Sequence, residues 1–179
     1  AGPDGVQRLA ERLGVGALPA VTNFYLFGVH VGDAGASAIA AALGRGALPR
    51  LKILTLNRVD IGDVGLVALA PALRRLPALE ALCLEENSFG DEGITALLAP
   101  PPPAGAISPT TGVLTKLETL NLSSARITNA GCAALATALT SGALPALRRL
   151  LLYGVPASVA SNRPFREAAQ RQRVVCVFL

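Results

Sequence analysis

The side chains able to do chemistry are few: one histidine, three cysteines and twelve carboxylates in 179 residues. His30 has no second histidine and no cysteine at a metal-binding spacing, and no nucleophile elbow accompanies it, so neither a zinc site nor a triad is indicated. Cys83, Cys132 and Cys176 are odd in number and far apart, which gives no dithiol or zinc pairing and favours a reducing compartment. Gly44, Arg45 and Gly46 open like a phosphate-cradling loop, but the Lys and Ser/Thr that such a loop needs do not follow. Asn121, Leu122 and Ser123 form a glycosylation acceptor pattern without a secretory signal beside it. Fourteen Arg and two Lys against twelve acids leave a net charge of +4. The arginines are dispersed and not interleaved with aromatics, so nucleic acid is not indicated as a partner. Glu85, Glu86, Asp91 and Glu92 are the one acidic cluster in which acid–base work is conceivable. Whether they can meet depends on the elements that carry them.

Those elements repeat. Units can be started at Val21, Leu51, Leu79, Leu117 and Leu147, with spacings of 30, 28, 38 and 30 residues. In each, apolar residues return at the first, fourth and sixth places, as in Leu51, Leu54 and Leu56, and the alternation of the last two is a strand period. The eleventh place is again apolar (Val31, Ile61, Phe89, Ile127, Ala157). The thirteenth is Asp33, Asp63, Asp91 and Asn129, read as helix N-caps, and Gly35, Gly65, Gly93 and Gly131 follow two residues on, where a missing Cβ permits close approach to a neighbouring unit. A helical period then takes over, as in Ala68, Leu69, Ala72 and Leu73. On this reading Glu85 and Glu86 lie on a strand wall and Asp91 and Glu92 start a helix, so the acidic cluster is divided between two elements.

A strand followed by a helix, about 29 residues long, cannot bury its apolar side alone, and stacking the copies solves that. Parallel strands then line a concave inner wall and helices fan out on the convex side. The pattern, clearest in "LKILTLNRVDIGDVGLVALAPAL" (51–73), resembles the leucine-rich repeats, and its unit length and helical outer side resemble the ribonuclease-inhibitor-like class. The resemblance implies an α/β solenoid, or horseshoe, of about five repeats and a protein-binding scaffold. One departure stands out: the ninth place, usually Asn or Cys in such repeats, holds Val29, Val59, Asn87, Ala125 and Val155.

The expected organisation is one domain, 1–179. A partial repeat (1–20) is followed by repeats at 21–50, 51–78, 79–116 and 117–146, then by a last repeat and cap (147–179) with a polar helix from about 164 to 172 and a final strand over 174–178. A Pro-rich insertion, 99–113, is read as a surface loop at a place where repeats tolerate insertions; polyproline recognition by an adaptor domain is the alternative. No Met occurs, so Ala1 is read as something other than a translational start, from a processed, trimmed or excised chain. The three uncharged stretches of about twenty residues are broken by Pro, Gly and Asn, so no membrane insertion is expected, and the compartment expected is cytoplasmic.

Strand alternation turns the second, third, fifth, seventh and eighth places toward the concave side. The residues expected to bind there are Tyr25 and Phe27; Thr55, Asn57 and Arg58; Cys83, Glu85 and Glu86; Asn121 and Ser123; Arg149 and Tyr153. Arg58 is expected to pair with Glu86 across strands. Aromatic and arginine anchors are typical of protein interfaces. The function expected is therefore a non-catalytic module that presents this face to a protein partner, with no catalytic, metal or cofactor residue. The alternatives are an assembly role through the ends of the solenoid, within a larger chain or complex, and, more remotely, a GTPase-activating regulator, a function found among similar repeats.

Overall fold

Strands and helices alternate along the chain in the order the repeat dictates. A computed structural model describes residues 3–13, 18, 20–99, 114–159 and 162–178; the Pro-rich insertion beyond Ala99 lies outside them. The elements are α1 (Pro3–Leu13), β1 (Asn23–Phe27), α2 (Gly32–Gly44), β2 (Ile53–Asn57), α3 (Asp63–Arg74), β3 (Ala81–Cys83), α4 (Asp91–Leu98), β4 (Thr119–Asn121), α5 (Asn129–Ser141), β5 (Arg149–Leu151), α6 (Arg163–Gln172) and β6 (Val175–Val177). The six strands form one parallel sheet in chain order, and each helix packs on the next. This is a leucine-rich repeat solenoid, and the expected terminal helix and strand are both present.

Register explains the core. Phe24, Leu54, Leu82, Leu120, Leu150 and Cys176 stand side by side across the five ladders, so one inward row runs the length of the sheet. Leu54, Leu82, Leu120 and Leu150 are fully buried, as are Leu56, Leu84, Leu122 and Leu152 of the next inward row. Each such side chain contributes roughly 2 kcal/mol by leaving water. The row is continuous with the helical layer through Ile39, Leu69, Ile94 and Leu135, all buried. At the eighth place of every unit the chain turns through the left-handed region, with φ of 64° at Gly28, 56° at Arg58, 53° at Glu86, 58° at Ser124 and 61° at Gly154. That turn takes the chain off the wall and toward the helix.

The helix starts depart from the expectation. The N-cap residues are Val31, Gly62, Gly90 and Thr128, and only Thr128 caps its own helix with its side chain. The aspartates act on the next unit instead. Asp33 Oδ1 accepts from the backbone N–H of Gly62 (2.7 Å) and Gly65 (3.0 Å), and Asp63 Oδ1 from Gly90 (2.9 Å) and Gly93 (2.7 Å). Asp91 Oδ1 accepts from Thr128 (2.8 Å) and Gly131 (2.9 Å), and Asn129 Oδ1 from Ser158 (3.1 Å). Each carboxylate sits inside its own first turn but points along the array, so it satisfies the orphan donors of the following helix. The glycines make room for it: a Cβ on Gly65 would lie 2.5 Å from Asp33 Oδ1. The place in the first unit that matches Asp33 is Pro3, and at the start of α2 the N–H groups of Val31 and Gly32 donate instead to Val59 O of the following unit (3.1 and 3.0 Å).

Asn87 fills the ninth place of its unit and is 5% exposed. Its Oδ1 accepts from Val59 N (3.3 Å) and Ile61 N (3.1 Å), and its Nδ2 donates to Leu56 O (2.7 Å) and Leu84 O (2.9 Å). One side chain therefore completes the buried turns of two units. Val59 and Ala125, at the same place, are buried and apolar.

Candidate functional site

The concave wall is built from the outward residues of β1–β5 and the turns after them. Register puts Tyr25, Thr55, Cys83, Asn121 and Leu151 in one row and Asn23, Ile53, Ala81, Thr119 and Arg149 in another. Side chains at the middle of these rows are short, while aromatics rise at the ends. Tyr25 is 58% exposed, Phe27 62% and Tyr153 38%.

A hydrogen-bond relay ties the middle of the wall together. Asn57 Oδ1 accepts from Glu85 N (3.0 Å), Glu85 Oε2 accepts from Asn121 Nδ2 (3.1 Å), and Asn121 Oδ1 accepts from Ser123 N (3.0 Å). Ser123 Oγ accepts from Tyr153 N (3.3 Å). Five of the expected residues, from four units, are thereby held in fixed positions. Ser123 corrects its expectation: it is 2% exposed and does not face outward. Its hydroxyl is turned to the next turn's backbone, which closes over it.

A second cluster lies at the β1 end. Arg58 Nε is 3.1 Å from Glu86 Oε2, the expected cross-strand pair, and its guanidinium carbon lies 5.6 Å from the Phe27 ring centroid. Each contact is partly exposed and contributes at most about 1 kcal/mol. Their joint effect is to hold the guanidinium flat beside an exposed ring. Asn23 Nδ2 donates to the Tyr25 hydroxyl (2.9 Å), and Lys52 pairs with Glu80 at 3.0 Å; sequence reasoning did not select Asn23, Lys52 or Glu80. Arg149 stands apart from both clusters, exposed and in a row with no acid.

Nothing brings the acidic residues into one acid–base pair. Glu85 and Glu86 stay on the wall, whereas the Asp91 carboxylate is taken up by Thr128 and Gly131, with Thr128 Oγ1 2.5 Å from Asp91 Oδ2. His30 Nδ1 lies 2.7 Å from Asp60 Oδ2, an exposed pair in the turns after β1 and β2. Among the described residues no three His, Cys, Asp or Glu side chains cluster as metal ligands, and no helix is long and apolar enough to cross a membrane.

The thiols are free. Burial pushes the Cys83 thiol up, the nearby Glu85 charge adds to this, and a hydrogen bond with Thr55 opposes it. Burial pushes Cys176 up to about 11. At pH 8 its thiolate fraction is then about 0.001, against roughly a quarter for a free cysteine, so disulfide-reagent labelling of Cys176 in the folded chain should run ~100-fold slower than in urea. Stopped-flow labelling of a chain with Cys83 and Cys132 replaced by Ser measures this. Because the folded state keeps a proton that the unfolded chain loses first, this thiol's contribution to stability is complete below about pH 8.5 and is lost as pH rises toward 11.

The wall and the repeat have parallels in known proteins. A family model for the leucine-rich repeat matches residues 113–136. The chain is similar to ribonuclease inhibitor of Sus scrofa, 39% identical over 92 residues, which is 51% of this chain and 18% of that relative's length. It is similar in fold to the tropomodulin C-terminal domain from Caenorhabditis elegans (TM-score 0.64, 18% identity, covering 93% of this chain and 92% of that one). The structure of leiomodin-1 actin-binding site 2 gives a TM-score of 0.65 at 15% identity, over 97% of this chain and 88% of that one.

Proposed function

Since the chain is a leucine-rich repeat protein of ribonuclease-inhibitor-like build, we propose that it is a non-catalytic binding module that docks a protein partner on its concave wall. The observation that carries this is the cluster at the β1 end: two aromatic rings more than half exposed, with an arginine held beside one of them. Exposed aromatics on rigid strands lose little conformational freedom on binding, and aromatic and Arg side chains are the commonest interface anchors. The relay from Asn57 to Tyr153 supports the reading, because it presents a fixed polar surface beside the rings. Arg149 and Tyr153 belong to the far end of the same proposed site.

Tyr25→Ala with Phe27→Ala should weaken the partner by about 30-fold or more, the loss of one strong anchor, while thermal unfolding stays within a few degrees. Affinity capture from the native source with the parent and the double variant, followed by mass spectrometry and titration of the captured protein, checks this. A partner held equally well by both chains would refute the concave wall as its site.

A further inference from the structure

Charges that are scattered along the sequence are gathered by the fold. The six strands run parallel and a helix separates each from the next, so every helix-to-strand loop lies on one flank of the solenoid and every strand-to-helix turn on the other. The loops at 44–52, 74–80, 114–118 and 141–149 carry eight Arg or Lys and two Glu, whereas the turns at 28–33, 58–63, 85–92 and 122–129 carry seven Asp or Glu and two Arg. One flank is basic and its opposite is acidic.

The flanks differ in more than sign. Asp33, Asp63 and Asp91 are taken up by backbone N–H groups, Glu86 by Arg58 and Asp60 by His30, so most of the acidic flank is satisfied from within. On the basic flank Lys52 pairs with Glu80, and Arg74 Nη1 donates to Ala96 O (2.6 Å). Arg45, Arg50, Arg75, Lys116, Arg148 and Arg149 are exposed, and among the described residues no carboxylate lies within ion-pair reach of any of them. Residues 100–113 carry no charged side chain and supply no counter-ion. Attraction to helix dipoles accounts for Arg45 and Arg75, which follow α2 and α3, but not for Arg50, Lys116, Arg148 and Arg149, which stand at the starts of strands. The flank is also level. Lys52 N donates to Thr22 O, Glu80 N to Lys52 O, Glu118 N to Glu80 O and Arg148 N to Glu118 O (2.7, 2.8, 2.8 and 2.9 Å), so the strands start without stagger. Pro49, Pro77 and Pro145, each exposed and two residues before a unit begins, stiffen the loops.

We infer that this flank docks the chain on an anionic bilayer surface, with its arginines on the phosphate and carboxylate headgroups and the strands standing away from the membrane. Contact is electrostatic and nothing inserts. A planar surface reaches all of these loops at once, whereas a nucleic-acid duplex is a rod and reaches part of the row at a time. Single strands bind on aromatic platforms, and no aromatic residue occurs in these loops. The acidic flank is repelled by the same surface, which sets the orientation. The concave wall stays open in this pose. Arg45, Arg50 and Arg75 do not belong to it, so the two readings fail separately.

The test is cosedimentation of the full chain with phosphatidylcholine vesicles, with and without phosphatidylserine at about 30 mol%, in about 0.1 M salt. Partitioning should be at least tenfold stronger onto the anionic vesicles and should be lost at about 0.5 M salt. Each cation near the surface contributes about fivefold, so Arg45→Gln with Arg50→Gln should weaken partitioning about 25-fold. Arg126→Gln with Arg163→Gln removes the same net charge from the opposite flank and should change it less than about threefold. Circular dichroism checks that both variants are folded. Equal partitioning onto the two kinds of vesicle, or equal losses in the two variants, overturns the proposal. Tighter binding to a DNA duplex or to polyglutamate than to the anionic vesicles, at equal anion concentration, makes nucleic acid or an acidic protein the occupant and overturns it as well.

Discussion

Asn87→Ala should cost about 3–5 kcal/mol. The residue satisfies two buried N–H groups, of Val59 and Ile61, and two carbonyls, of Leu56 and Leu84. A buried group left without a partner costs about 1–3 kcal/mol, and partial relaxation or an entering water keeps the total below the sum of four. Asn87→Asp separates hydrogen bonding from volume. It keeps both acceptors but puts a charged oxygen against the Leu56 and Leu84 carbonyls, and should be as damaging as alanine. The measurement is urea unfolding followed by circular dichroism, with the midpoint falling by 1 M or more at a typical slope of about 2–3 kcal/mol/M. A loss below about 1 kcal/mol for both variants would show that the turns do not depend on this side chain.

Gly65→Ala makes a second prediction, and its sign is the test. In an isolated helix the change would stabilise by about 1 kcal/mol. Here the new Cβ meets Asp33 Oδ1 at 2.5 Å, with Ala36 Cβ and Asp33 Cα each at 3.1 Å. The Asp33 carboxylate cannot swing aside without releasing Gly62 N and Gly65 N. Overpacking and a lost cap together should cost about 2–4 kcal/mol. Gly44→Ala is the contrast: nothing lies within 4 Å of its Cβ position, so the same substitution should stabilise by about 0.5 kcal/mol. In an Asp33→Ala background much of the Gly65→Ala penalty should vanish, since the two residues share one contact. Strict additivity in that cycle would remove the capping aspartate as the cause.

Much of this molecule is legible in the sequence because its repeat is printed five times. Leu54, Leu82 and Leu120 predict one inward row, and that row exists; Pro164 to Gln172 reads as a helix and is one. What local reading missed lies between units. Asp33, Asp63 and Asp91 have the type and place of helix caps, but periodicity along one unit does not reveal that each carboxylate points to the next helix. Ser123 fails for a related reason: alternation assigns it outward, yet the next turn's Tyr153 N–H takes its hydroxyl and buries it. The site residues Arg58 and Glu86 were readable as a pair because strand register sets them side by side. The approach of Arg58 to Phe27 was not, since it depends on a left-handed turn at Arg58 that no glycine announces.

The borrowed helix caps tie the start of each helix to its neighbouring units. Each of α3, α4 and α5 draws an acceptor at its start from the unit before it, whereas the N–H groups at the start of α2 and just before α3 donate to Val59 O and Asn87 Oδ1 of the unit after. Loss of order should therefore spread cooperatively between neighbouring units, with each melted unit stripping acceptors from the units on either side of it.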